Sequence, residues 1–175
     1  MDESQYRKSY VPKPPHGLEK LDVGIHIFVQ TIDSIQELKS SYQIRLIMGI
    51  RWKDTRLMFL NLRPNERSNI VKGDTARSLW IPPLEIPGAL SDYNLDYEEK
   101  SSLLIDKESD GTHAKTNILH EGMQYDGSLN SVMLIKQLKV THSCIFELKN
   151  YPFDIQLCKM EVISPLNTSI KHFTI

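Results

Sequence analysis

Apolar residues alternate with polar or small ones along several stretches of this chain. Val23, Ile25, Ile27 and Val29 interleave with Gly24, His26, Phe28 and Gln30, and Ile44, Leu46, Met48, Ile50 and Trp52 repeat the pattern. A period of two places one set on one face of a strand, so both stretches predict strands that pack by one side. Residues 33–41 predict a polar connection between them. Residues 118–125 and 131–140 predict two more strands with a turn at Asp126-Gly127, and 159–163 predict another that Pro165 ends. The segments 60–70, 79–86 and 91–111 are rich in charge or proline and predict loops with short strands between them. Helical periodicity is nearly absent and no repeat occurs, which argues for an all-β sandwich over an α/β enzyme.

Composition narrows this little. With 175 residues, 40% hydrophobic and 25% charged, one globular domain is the expectation. Residues 1–17, with Pro12, Pro14 and Pro15, predict a flexible lead-in to a domain over 18–175. A net charge of -1 supplies no electrostatic reason for a nucleic-acid partner. No apolar run approaches the roughly 18 residues of a membrane helix. The N-terminus has no signal-peptide pattern.

The candidate chemistry is sparse. His16, His26, His113, His120, His142 and His172 show no metal-ligand spacing with a cysteine, so no metal or cofactor is expected. His26 and His142 fall within predicted strands, where a hydrogen-bonded structural role is expected. No nucleophile elbow and no glycine-rich phosphate loop occur, which argues against an enzyme. Asp54 with Arg56 is expected to be a structural ion pair beside Trp52. Asn167-Thr168-Ser169 is an N-glycosylation sequon.

The only two cysteines, Cys144 and Cys158, bracket thirteen residues with Tyr151, Pro152, Phe153 and Asp154 near the middle. Pairing would close a loop of about 15 residues and stabilise the fold by about 3 kcal/mol. Two buried free thiols in adjacent strands fit the spacing equally well. The segment ELKNYPFDIQLC resembles the signature loop of the Cys-loop pentameric ligand-gated ion channels, with its aromatic-Pro-x-Asp tip. Trp52-Lys53-Asp54-Thr55-Arg56-Leu57 is similar to that family's Trp-x-Asp-x-Arg-Leu strand, and Trp80-Ile81-Pro82 to its Trp-x-Pro segment. The match leans towards the glycine, GABA and glutamate receptor branch of anion channels.

The resemblance implies an immunoglobulin-like extracellular β-sandwich, here lacking its last strands. It also implies agonist sites between the subunits of a homo- or heteropentamer, and a Cys144–Cys158 disulfide. Tyr151, Pro152, Phe153 and Asp154 would be the tip that couples agonist binding to the protein's own membrane domain. Trp52, Asp54, Arg56, Trp80 and Pro82 would be framework. The implied location is the extracellular face of the plasma membrane, synapses included, as part of a full-length receptor, the chain being either a fragment of a longer product or a truncated one. The positions that commonly face a small-molecule agonist read Ile47, Gly49, Ile135 and Gln137, and the loop after Trp-x-Pro carries Pro87. None offers a forked cation for a carboxylate or an aromatic cage for an ammonium group, so an atypical subunit is expected. The rival reading is a secreted, soluble ligand-binding protein of the same fold.

Overall fold

The computed structural model describes residues 6–60, 62–63, 65–113, 122–166 and 169–170. Nine strands are described: β1 (Asp22–Gln36), β2 (Ser41–Trp52), β3 (Met58–Leu60), β4 (Ser68–Val71), β5 (Ser102–Asp106), β6 (Thr112–His113), β7 (Met123–Asp126), β8 (Ser131–Ser143) and β9 (Ser169–Ile170). One six-residue helix, α1 (Gly73–Ser78), and two 3-10 turns interrupt them. The strands form one sheet in the order β4-β5-β8-β2-β1-β9 and a second in the order β3-β7-β6. Every described pairing is antiparallel except β1 with β9. The protein is an all-β sandwich.

The long central hairpin carries the expected alternation into space. Ile44, Leu46, Met48, Ile50 and Trp52 of β2 are buried, as are Val132, Leu134, Leu138 and Val140 of β8 and Val23 and Ile25 of β1. Cross-strand neighbours on one face pack together, and each buried aliphatic side chain stabilises the sheet by about 1.5–3 kcal/mol. Leu79, Trp80, Ile81, Leu84, Ile86, Met160 and Val162 join the same core from segments with little ladder of their own. Trp52 and Trp80 meet edge-on, ring centroids 6.3 Å apart.

Three elements differ from expectation. Strand β1 runs on to Gln36 through the region expected to be a polar connection, pairing Ile32 with Ile44 and Asp33 with Gln43 across two irregularities. Backbone pairing with β2 needs no apolar alternation, and Ile32 and Ile35 stay exposed. Residues 159–163 keep a period of two in burial, with Met160 and Val162 inside, but only Ile163 bridges, to Glu85. Of the strand expected over 118–125, the described part is the Met123–Tyr125 stretch of β7, and 114–121 lie outside the described residues. Helix α1 is too short for periodicity to reveal, burying only Ala76.

The expected turn follows Asp126, whose carboxylate accepts from the Ser128 amide at 2.7 Å. Gly127 seats it against the turn at 54–57, donating to the Leu57 carbonyl at 2.9 Å. A Cβ at Gly127 would stand 2.3 Å from the Asp54 carbonyl oxygen, so no other residue fits without moving backbone.

Candidate ligand face and disulfide loop

The Trp52–Leu57 segment forms a tight polar anchor at the end of β2. Asp54 is fully buried, and Arg56 clamps its carboxylate with Nε–H to Oδ1 at 2.8 Å and Nη2–H to Oδ2 at 2.6 Å. The Arg56 amide and the Tyr6 hydroxyl donate to the same carboxylate, each at 3.1 Å. Tyr6 in turn accepts the Trp80 amide at 2.8 Å and lies with its ring 4.6 Å from the Arg56 guanidinium carbon. Arg56 also donates to the carbonyls of Arg7 and Tyr10. Residues 6–10 are thereby tied to both the Trp52 and Trp80 segments, a link that no periodicity around Tyr6 signals. Burial pushes the Tyr6 hydroxyl up to about 12. Pro82 is buried beside this framework. Among the described residues, the Trp52 indole nitrogen has no hydrogen-bond partner.

Four of the five agonist-position residues come together on the outer face of β2 and β8. The register sets Ile47 opposite Gln137 and Gly49 opposite Ile135, with Phe28 and His26 of β1 completing the two rows. Phe28 is 66% exposed and Ile47 and Ile135 are half-buried, so the face is apolar at its centre. Gln137 donates to the Gln30 side chain at 2.6 Å. The Met133 methyl covers Gly49, lying 2.9 Å from where a Cβ would be. Arg45 lies one pair further along β2 and is held by Asp33, its Nε and Nη2 each 2.9 Å from the carboxylate. That hydrogen bond holds the Asp33 carboxyl below the usual range.

Pro87 is not brought to this face. Its carbonyl oxygen lies 2.8 Å from His142 Nε2, while Nδ1 of the same ring lies 2.7 Å from the Ser143 carbonyl oxygen. The 86–91 segment is thus fastened to the far edge of β8, with Ser143 N–H to the Gly88 carbonyl at 2.9 Å and Leu90 N–H to the Thr141 carbonyl at 2.7 Å. His142, expected as a structural histidine, is buried there.

Cys144 and Cys158 are joined by a disulfide, their Cα atoms 5.5 Å apart, and Tyr151-Pro152 is cis. The loop has its own polar bracing: Glu147 N–H to Gln156 Oε1 and Gln156 Nε2–H to the Glu147 carbonyl, both 3.0 Å, and a short bond from Gln156 to Asp154. Its apolar side chains point outward. Ile145, Phe153, Ile155 and Leu157 are each more than nine-tenths exposed, and Tyr151 is 65% exposed. Cys144 N–H donates to the Ser40 carbonyl at 2.8 Å, which places the loop's root beside the β1–β2 turn and its fully exposed Leu38. An outward apolar cluster of this kind marks a surface made to be covered.

The description of the neurotransmitter-gated ion-channel ligand-binding domain matches residues 2–171. The chain belongs to this family. It is similar to the gamma-aminobutyric acid receptor subunit beta of Lymnaea stagnalis, 25% identical over 159 residues that make up 87% of this chain and 28% of that protein. It is similar also to the human gamma-aminobutyric acid receptor subunit rho-1, at 25% identity, 87% of this chain and 27% of that protein. The rat glycine receptor subunit beta is 26% identical over 82% of this chain and 25% of its own length. The chain therefore spans about a quarter of the length of the curated relatives it matches. Membership accounts for the absence of catalytic constellations, since this is a family of receptors and not of enzymes. The Cys144–Cys158 disulfide lies within the matched residues. Among the described residues, no helix is long and apolar enough to cross a membrane, and no group of three or more His, Cys, Asp or Glu could hold a metal.

Proposed function

We propose that this chain is the extracellular ligand-binding portion of a subunit of a pentameric, GABA- or glycine-receptor-like anion channel at the plasma membrane. In this reading the outer face of β2 and β8 meets a neighbouring subunit, and the agonist lies between them, with Pro87 belonging to the opposite face. The Cys144–Cys158 loop, with Tyr151, Pro152, Phe153 and Asp154, passes movement to the subunit's own membrane domain and so to a chloride pore. The observation that carries the coupling role is the apolar cluster of Ile145, Phe153, Ile155 and Leu157, held outward by a braced, cross-linked loop at the β1–β2 end. A closed loop transmits displacement where an open one absorbs it.

The subunit is atypical at its own agonist face. Ile47, Gly49, Ile135 and Gln137 sit in register on one surface, yet they present alkyl groups and one amide already bonded to Gln30. A carboxylate placed there would lose hydration without gaining a charge-assisted partner. The subunit would then answer to another stimulus or serve as the complementary partner in a heteropentamer. Currents and radioligand binding on the longer gene product, with glycine, GABA, glutamate and acetylcholine applied in turn, test this. No response from the homomer is expected, and tight binding of any of the four would overturn the atypical reading. Absence of about four apolar stretches of 20 residues each downstream would overturn the channel reading. Asn167, outside the described residues, would carry a glycan in this setting.

A further inference from the structure

The ring of His142 is held between two carbonyl oxygens. Nε2 lies 2.8 Å from the Pro87 oxygen and Nδ1 lies 2.7 Å from the Ser143 oxygen, both at hydrogen-bond distance. A neutral imidazole has one N–H to donate, and its other nitrogen only accepts. A carbonyl oxygen has no hydrogen to offer, so in the neutral form one of the two contacts sets lone pair against lone pair. Only the imidazolium, with an N–H on each nitrogen, satisfies both.

The surroundings supply no charge that would decide the matter otherwise. His142 is 4% exposed. Gly88, at φ +83°, brings the backbone of the 86–91 segment directly against the ring, where a Cβ would stand 3.0 Å from Nε2. That segment reads Ile-Pro-Gly-Ala-Leu-Ser and carries no titratable side chain. On β8 the adjoining residues are Thr141 and Ser143. On β2 the titratable neighbour is Tyr42, opposite in register with its ring centroid 5.7 Å away. Burial pushes the Tyr42 hydroxyl up, so it is neutral wherever histidine changes charge. Among the described residues no carboxylate or cation pairs with the His142 ring.

The ring also stands where the segment is attached. Ala89 bridges to His142, and the bonds from Leu90 N–H to Thr141 and from Ser143 N–H to Gly88 flank it. Pro87, Gly88 and Leu90 are exposed, so little apolar burial supports these bonds. A change at the ring is therefore felt by the segment.

We propose that His142 is a proton-sensitive latch: its protonation fastens the 86–91 segment to the edge of β8, and loss of that proton releases one of the two carbonyl contacts. The fastening is complete in mild acid and weakens as pH rises through the range in which histidine gives up its proton. It does not rest on the receptor reading, because every group involved belongs to this chain.

Nitrogen-15 NMR of the oxidised 175-residue chain, labelled at histidine, tests this at about pH 5 and about pH 8, either side of the histidine range. Hydrogen exchange of the main-chain amides is followed at the same two values, each referred to the exchange rate of an unstructured peptide at that pH. Both His142 ring nitrogens are expected to carry a proton at the lower pH and only one at the higher. Protection of the Leu90 and Ser143 amides should fall about tenfold from the lower to the higher pH, the scale of one hydrogen bond to a charged group. Amides of Leu46 and Leu134, in the middle of the sheet, should change less. His142→Gln, whose side chain does not titrate, should abolish the difference at Leu90 and Ser143. Should that variant fail to fold, the wild-type measurements decide the question alone. A ring nitrogen still bare at the lower pH, equal protection at both values, or a difference that survives His142→Gln would overturn the proposal.

Discussion

Arg56→Ala should be among the most destabilising single changes available in this domain. The side chain is only 22% exposed and its partner Asp54 is completely buried. Removing the guanidinium leaves that carboxylate with two donors, the Arg56 amide and the Tyr6 hydroxyl, in place of four. Breaking a buried pair by deleting one partner costs about 3–5 kcal/mol, because the surviving charge stays desolvated. The cation over the Tyr6 ring adds about 0.5–1 kcal/mol. Against a typical domain stability of about 5–15 kcal/mol this is a large fraction. Urea unfolding of the oxidised chain, followed by the fluorescence of Trp52 and Trp80, would measure it. A cycle with Asp54→Asn separates the two contributions. Once Asp54 is neutral, Arg56→Ala should cost at least about 2 kcal/mol less, a coupling within the range for contacting residues. If Arg56→Ala costs less than about 1 kcal/mol, the pair behaves like an ordinary surface ion pair and the reasoning from burial is wrong.

Gly127→Ala should cost more than about 2 kcal/mol, since the new Cβ meets the Asp54 carbonyl and backbone must shift; an unfolding midpoint equal to wild type would contradict this. Cys144→Ser with Cys158→Ser should lower stability by about 3 kcal/mol in oxidising buffer, by restoring the loop's freedom in the unfolded chain, and a chemical melt checks it. Tyr6 has a native pKa pushed up to about 12 and should contribute stability below pH about 10, where both states are neutral, that is lost as pH rises towards 12. Because the ring is partly exposed, the loss is modest, and Tyr6→Phe should flatten that part of the pH–stability profile measured by thermal melts. The same substitution should lower stability at neutral pH by about 1–3 kcal/mol by stranding the Trp80 amide.

Much of the central sheet was legible because alternation is a local signal. The periodic stretches of β1, β2 and β8 are strands, and their apolar sets are the ones buried. Failures came where a strand is defined by its neighbour and not by its own side chains. The far half of β1 is polar and still pairs, whereas 159–163 alternate well but find only Glu85. On the outer face of β2 and β8, motif counting named Ile47, Gly49, Ile135 and Gln137, but nothing in the linear pattern showed that they form two facing pairs.

The sequence by itself determined the all-β class, the family membership carried by the Trp52–Leu57 and Cys144–Cys158 motifs, and the lack of a cation at positions 47, 49, 135 and 137. These depend on residue type and short spacing, which the chain displays directly. Only the tertiary structure decided that Tyr6 bolts the N-terminal segment to Asp54, 48 positions away. It alone showed that Pro87 sits apart from the other four positions, its carbonyl fastened to His142. Each of these depends on which strands become neighbours, and sheet pairing is set by the burial of a whole face and not by any one segment's pattern.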